Sequence, residues 1–294
     1  SLKNISSSFA EKEFSFAIEI IKSIGLIQLF GKDIGLYSSK RVLNLAISSK
    51  SLLNKNKINR LIHLLHNKNI ISYRKLYDSF ILWEGTDLNV NDLIEEKIAE
   101  LPKSAKISSF VRKYFPVNPI IAQKHLVETG TLRWTEFQFC EIDEILENIT
   151  SEADGIFRCI LVKNYNQKNQ IERFINDNLK DLPKNVFPIV LMIGNNAETD
   201  LKTLISINEL LTYNNDIAKD KIARKELKMI HREYNYLLKN LFVDKNRYNT
   251  KLYYWKESKL ILSKWRNLNL ELSKKFDSIY DKTPIIHNEL INKE

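Results

Sequence analysis

The residues of this chain that could do chemistry are a few carboxylates, two close histidines, two cysteines and a block of cations, and spacing decides among them. Glu136 and Gln138 share one face of a strand-like run, and Asp154 precedes a second run. Metal-dependent cleavage of a phosphodiester needs converging carboxylates, usually with a lysine beside them. No lysine stands at that spacing, so a metal-dependent nuclease is the weakest reading. His63 and His66 lie three apart on a helical stretch, and without a third ligand they suit the rim of a phosphate-binding surface better than a metal. Cys140 and Cys159 sit in apolar runs with no C-x-x-C or Cys/His partner, which fits neither a disulfide nor a zinc site and points to a reducing cytoplasm. The turn Gly194-Asn195-Asn196-Ala197-Glu198-Thr199 has one glycine and no lysine. It is neither a phosphate-binding P-loop nor a dinucleotide fingerprint, and Thr199 or Asp200 would cap an ordinary helix after it. None of the five histidines adjoins an exposed, glycine-flanked nucleophile. No catalytic residue, metal or cofactor is expected in this chain.

The cations carry more information. From Ile34 to Tyr77 there is no Asp or Glu, while Lys40, Arg41, Lys50, Lys55, Lys57, Arg60, Lys68, Arg74 and Lys75 supply nine positive charges. The chain has 45 basic residues in all; less these nine, 36 remain, equal to its 36 acidic residues. The whole net charge of +9 therefore belongs to one segment, which reads as a footprint for a polyanion.

The same segment indicates which elements hold those cations. Lys40 to Ser48 places Val42, Leu43, Leu45 and Ala46 on a helical stripe. Asn56 can cap a second helix to about Asn67, in which Ile58, Leu61, Ile62 and Leu65 form one buried face. Lys57, Arg60, His63 and Asn67 then point the other way. Ile70 to Lys75 and Phe80 to Trp83 read as strands joined by a turn at Leu76–Ser79. Helix, turn, helix and a two-stranded wing is the order of a winged helix-turn-helix, whose second helix enters the major groove of DNA. The expected contacts with duplex DNA are Lys55, Lys57, Arg60, Lys68, Arg74 and Lys75 at phosphates, with His63 and Asn67 at base edges.

Around this module the periodicity predicts a lid-like apolar helix over residues 9–23 and a helical connector over 89–130, with helices at Asn89–Leu101, Ser104–Phe115 and Pro119–Glu128. A small three-stranded α/β unit spans 131–213, its strands at Leu132–Phe139, Gly155–Val162 and Val186–Ile193 most simply parallel. Its helices fall at Ile142–Ile149, Gln170–Leu179 and Asp200–Leu211. Residues 214–294 read as a long-helix, coiled-coil-like hairpin: a seam of Ala223, Leu227, Ile230, Tyr234, Leu237 and Leu241 from Asp216 onward, a connector at Asn246–Trp255 whose aromatics could close a small core or stack bases, and a returning stripe between Lys259 and Tyr280. The fold class is α+β, mostly helical. No apolar run is long enough to span a bilayer, and no signal-peptide pattern opens the chain, so a cytoplasmic protein without a membrane partner is expected. Ser1 in place of Met, and a helical-looking end at Ile291-Asn292-Lys293-Glu294, suggest a piece of something longer.

Several phrases line up in order: Ile24-Gly25-Leu26-Ile27-Gln28-Leu29-Phe30-Gly31, Tyr73-Arg74-Lys75, Leu82-Trp83-Glu84-Gly85-Thr86-Asp87, Glu128-Thr129-Gly130-Thr131-Leu132-Arg133 and Thr283-Pro284-Ile285-Ile286-His287-Asn288-Glu289-Leu290-Ile291-Asn292. Together they resemble the region downstream of the P-loop module in large bacterial AAA-like or STAND-like ATPases associated with phage-defence or DNA-modification gene clusters. The resemblance covers most of the chain and implies an ATPase module ahead of Ser1, with the opening helix as part of its lid. This chain has neither a Walker A nor a Walker B motif, so any ATP hydrolysis would belong to residues outside it. The combined expectation is a non-catalytic, antiviral-defence region that binds duplex DNA and couples it to a neighbouring ATPase module or to copies of the parent. A protein-interaction scaffold of the same ATPase is the alternative.

Overall fold

The computed structural model describes residues 11–48, 54–83, 88–102, 106–147, 151–243, 252–255, 259–262 and 265–285. Among them the chain is α+β with helices in the majority. It divides into two compact units, one of Ser1–Glu100 with Thr203–Asn235 and one of Leu101–Lys202 with Tyr236–Glu294. These units cut across the linear division into 1–88, 89–130, 131–213 and 214–294, because the chain returns to the first unit after building most of the second.

The first unit opens on α1 (Glu11–Phe30). Periodicity ended this helix near residue 23, but it continues through Gly25, where an added Cβ would lie 3.3 Å from Leu82 Cδ1. Gly31 then has no room for a side chain, since a Cβ there would collide with the carbonyl oxygens of Ile27 and Leu36. After a 3-10 turn at Lys32–Ile34 come α2 (Lys40–Ser48), α3 (Lys55–Asn67) and the antiparallel strands β1 (Ile71–Arg74) and β2 (Ser79–Leu82). Ile71 is opposite Leu82 and Arg74 opposite Ser79. The ribbon turns at Asp78 with φ 45°, a left-handed conformation that a short polar side chain tolerates.

One core joins these elements: Ala17, Ile20 and Ile24 of α1, Leu43 and Ile47 of α2, Ile58, Leu61, Ile62 and Leu65 of α3, and Ile71 and Phe80 of the ribbon. The buried face of α3 is the one its spacing predicted. That of α2 is displaced, since Leu45 is 63% exposed while Asn44 is buried. Asn44 Nδ2 donates to the Lys40 carbonyl at 2.6 Å and to Asn59 Oδ1 at 2.9 Å, so a polar residue occupies a core position with its amide donors matched, while its Oδ1 has no hydrogen-bond partner.

A second core of this unit gathers Val90 and Ile94 of α4 (Val90–Glu100), Ile207 and Leu210 of α8 (Ala197–Tyr213), Ile217 of α9 (Asn215–Lys219), and Ala223 and Leu227 of α10 (Lys221–Phe242). The single helix expected from Asp216 is two. Asp220 breaks it and caps α10, accepting from the N–H groups of Ile222 and Ala223, each at 2.9 Å.

The second unit is built on a six-stranded mixed sheet in the order β3-β4-β5-β6-β7-β8. Strands β4 (Trp134–Cys140), β5 (Gly155–Val162) and β6 (Val186–Met192) are parallel, as their apolar runs suggested. The three-stranded expectation was too small. β3 (Ile120–Ile121) pairs antiparallel with β4, while β7 (Leu252–Trp255) and β8 (Lys259–Leu262) add antiparallel strands beyond β6. Aromatic and β-branched tracts that could have been connector or helix are drawn into strands, because β6 offers an edge whose backbone groups need partners.

Among the described residues, α5 (Ile107–Tyr114), α6 (Gln123–Thr129), α7 (Tyr165–Asn178) and α11 (Trp265–Ile279) accompany those strands. Gly130, with φ 66°, ends α6 where a helix stop was expected. The helix expected at Ile142–Ile149 is only a 3-10 segment, Asp143–Leu146. In place of two long helices, residues 214–294 hold α9, α10, the β7–β8 ribbon and α11. α11 lies against α6: Asn269 Nδ2 donates to the Ile121 carbonyl at 2.6 Å, and His125 Nδ1 is 2.6 Å from Asp277 Oδ1. Past residue 235 the buried positions of α10 are Leu238 and Phe242 rather than Leu237 and Leu241. A straight helix at 3.6 residues per turn drifts away from a 3.5-residue seam.

Candidate nucleic-acid interface

α3 begins at Asn54, whose side chain accepts from the Asn56 N–H at 3.2 Å. The cap thus falls two residues before the Asn56 that the sequence suggested. The helix ends at Lys68 and Asn69, with Asn69 at φ 52°. Its inner face is buried, Asn59, Leu64 and His66 are half-buried beside it, and the rest of the helix faces outward. Lys55, Lys57, Arg60, His63, Asn67 and Lys68 are all exposed, and one helix surface carries six of the eight expected contacts.

The electrostatics of this surface are unusual for a solvated helix. Its first turn has no acidic residue and two lysines, although cations at a helix N-terminus oppose the macrodipole. Lys55, Lys57, Arg60 and Lys68, together with Lys40 and Arg41 of α2, form no ion pair among the described residues. Burial, the neighbouring His63 and Lys40 of α2 hold the His66 imidazole below its ordinary range, against a hydrogen bond with Asn67. The His66 ring meets Phe80 edge-on at 6.4 Å. Lys40 was not among the expected contacts, yet it belongs to this surface. Its signal was the carboxylate-free stretch that begins before it.

Arg74 and Lys75 are elsewhere. Arg74 is only 4% exposed, and its Nη2 donates to Glu226 Oε2 at 2.5 Å. Its Nε lies 3.8 Å from Glu233 Oε1. Ser72 Oγ donates to the other Glu226 oxygen at 3.0 Å. Burial raises the Glu233 carboxyl, against the lowering effect of Arg74. Lys75 Nζ stands 5.4 Å from the centre of the Tyr234 ring. The expectation of Arg74 at a phosphate is therefore corrected: its guanidinium is enclosed and already matched by carboxylates of α10. Glu226 and Glu233 lie about 150 residues along the chain, and no local signal linked them to β1. Of the other basic residues in the block, Lys50 lies outside the described residues.

The residues considered for catalysis are occupied with one another. Gln138 Nε2 donates to Glu136 Oε2 at 2.8 Å, and Asp154 accepts from Arg133 Nη1 at 2.7 Å and the Trp134 N–H at 3.1 Å. Among the described residues no group of three or more His, Cys, Asp or Glu side chains is placed to hold a metal. Cys140 and Cys159 are buried free thiols; burial pushes Cys140 up to about 12 and Cys159 well above its ordinary value. The loop at Gly194, φ 78°, leads into α8 at Ala197, ahead of the expected cap. Glu198 in its first turn accepts from Lys163 and Lys202, whose hydrogen bonds hold its carboxyl low. Among the described residues no helix is long and apolar enough to cross a membrane.

The chain matches no known protein family, no curated protein sequence and no solved structure.

Proposed function

We propose that the first unit acts as a winged helix that binds duplex DNA, with α3 as the helix presented to the major groove, in a non-catalytic region that couples DNA to an ATPase module of the phage-defence type. The observation that supports DNA binding is the outer surface of α3. Its cations are exposed and have no carboxylate partner among the described residues, and two of them, Lys55 and Lys57, lie in the first turn of the helix, whose N-terminus itself attracts phosphate. A structural surface of this size would normally mix acids with bases. The link to an ATPase rests on the sequence resemblance alone, and two of its phrases, Glu84–Asp87 and Ile286–Asn292, lie outside the described residues.

The test is fluorescence anisotropy of the chain with a labelled random-sequence duplex at two salt concentrations. Micromolar binding that weakens steeply with salt is expected, and no binding at low salt would remove this reading. The scaffold alternative has an observation of its own. Leu26, Leu29, Phe30 and Ile34 are 58–75% exposed around the end of α1, and a cluster of exposed apolar side chains commonly marks a protein contact. Light scattering across a concentration series without DNA distinguishes the two, since assembly that Leu29→Ser with Phe30→Ser abolishes would favour the scaffold.

A further inference from the structure

We infer that the β1–β2 ribbon is a clasp on α10 rather than a second DNA-contacting arm, so that the polyanion surface of the first unit consists of α3 with the start of α2; the part of this inference that concerns DNA rests on the reading above. In β1 alternate residues face alike, and Ser72 and Arg74 are both buried. Both donate to the same carboxylate, Glu226, one to each oxygen. Glu233 and Tyr234 follow seven and eight residues later on α10, where Glu233 meets Arg74 and the Tyr234 ring meets Lys75. Residues at that spacing stand about two turns apart on one helix face. The end of β1 therefore lies along two turns of α10, with Arg74 as its positioning residue.

The ribbon also lacks what a groove-contacting arm needs. Such arms present cations to phosphates or to the minor groove. From Ile71 to Leu82 the only cations are Arg74 and Lys75, and both are engaged by α10. The tip is exposed at Tyr77 and Asp78, and Asp78 Oδ1 accepts from the Tyr73 hydroxyl at 2.7 Å. A carboxylate at the tip repels phosphate, the reverse of the charge on α3.

Two measurements on the whole chain test the inference. In duplex anisotropy, Lys75→Ala and Asp78→Asn are expected to bind within about twofold of the wild type with an unchanged salt slope, whereas Lys57→Ala with Arg60→Ala lowers the slope by about 2. Tighter binding and a steeper slope in Asp78→Asn, or a shallower slope in Lys75→Ala, would put the ribbon on the duplex and overturn the clasp. In hydrogen exchange, Arg74→Met is expected to speed exchange of the α10 amides from 221 to 234 more than that of the α3 amides, with the DNA affinity unchanged. The charge-swapped pair Arg74→Glu with Glu226→Arg restores part of the protection. Should Arg74→Met fail to fold, Glu226→Gln is the milder variant with the same expected signature. Unchanged exchange over 221–234 overturns the clasp whatever happens with DNA. A wild type that binds no duplex at low salt removes the DNA reading, and the exchange result then decides the clasp by itself.

Discussion

Helix α3 and strand β1 come from one stretch of chain without a single carboxylate, yet their cations are used in opposite ways. On α3, Lys55, Lys57, Arg60 and Lys68 stand in solvent with no acidic partner among the described residues. On β1, Arg74 is buried between Glu226 and Glu233. The difference lies in what packs beside each element. α3 buries one stripe and leaves the rest outward, whereas β1 is covered on its Ser72–Arg74 side by a helix that arrives from much later in the chain. A basic run is therefore a uniform signal only while the chain is read as a line.

The strongest way to break the comparison is to remove the partner of the buried cation. Glu226→Ala takes away the nearer carboxylate and leaves Arg74 only the more distant Glu233, 3.8 Å from its Nε, in a site where its Nη1 already has no hydrogen-bond partner, and the expected loss is about 3–5 kcal/mol of unfolding free energy in a denaturant titration. A loss below about 1 kcal/mol would mean that Arg74 escapes to solvent, as a surface pair would allow. Next in size is the exposed set. Lys57→Ala with Arg60→Ala should weaken duplex binding at low salt by about tenfold or more for every sequence tried, while changing stability by less than about 0.5 kcal/mol. Equal losses on specific and random duplexes mark these residues as phosphate contacts.

The bond that orients α3 on α2 can be cut separately. Asn44→Ala removes the donor to Asn59 Oδ1, with an expected cost of about 1–2 kcal/mol in the same titration. The smallest expected effect concerns pH. His66 is held below the ordinary imidazole value of 6.5 in the folded protein, chiefly by burial. The unfolded chain then binds more protons than the native one between the two values, so stability is present above 6.5 and is lost as pH falls through the lowered range. His66→Phe should flatten that part of the stability curve relative to wild type. Comparing the two chains also removes His231, which burial lowers in the same direction.

Much of this was legible in the residues. The ends of α2 and the buried face and end of α3 followed from side chains that repeat at 3.6 residues, the first of the three parallel strands from alternation, and the other two from continuous apolar runs of strand length. The stop at Gly130 followed from the one residue type that turns left-handed without strain. The misplaced elements have a common cause. Leu252–Trp255 and Lys259–Leu262 are short tracts with no period of their own, and the open edge of β6 makes them strands. The break at Asp220 was hidden because an Asp inside a helical pattern and an Asp at a cap look alike until the backbone turns.

The sequence by itself determined that the first unit has one amphipathic helix with a cationic outer face, and that the charge of the whole chain is concentrated around it. Those are properties of residue type and spacing over a few turns. Only the tertiary structure decided which cations stay in solvent, where the sheet ends, and that β1 is held to α10. Each of these depends on neighbours brought together from distant parts of the chain, and a side chain's charge has its final meaning only once its surroundings have excluded water or left it in place.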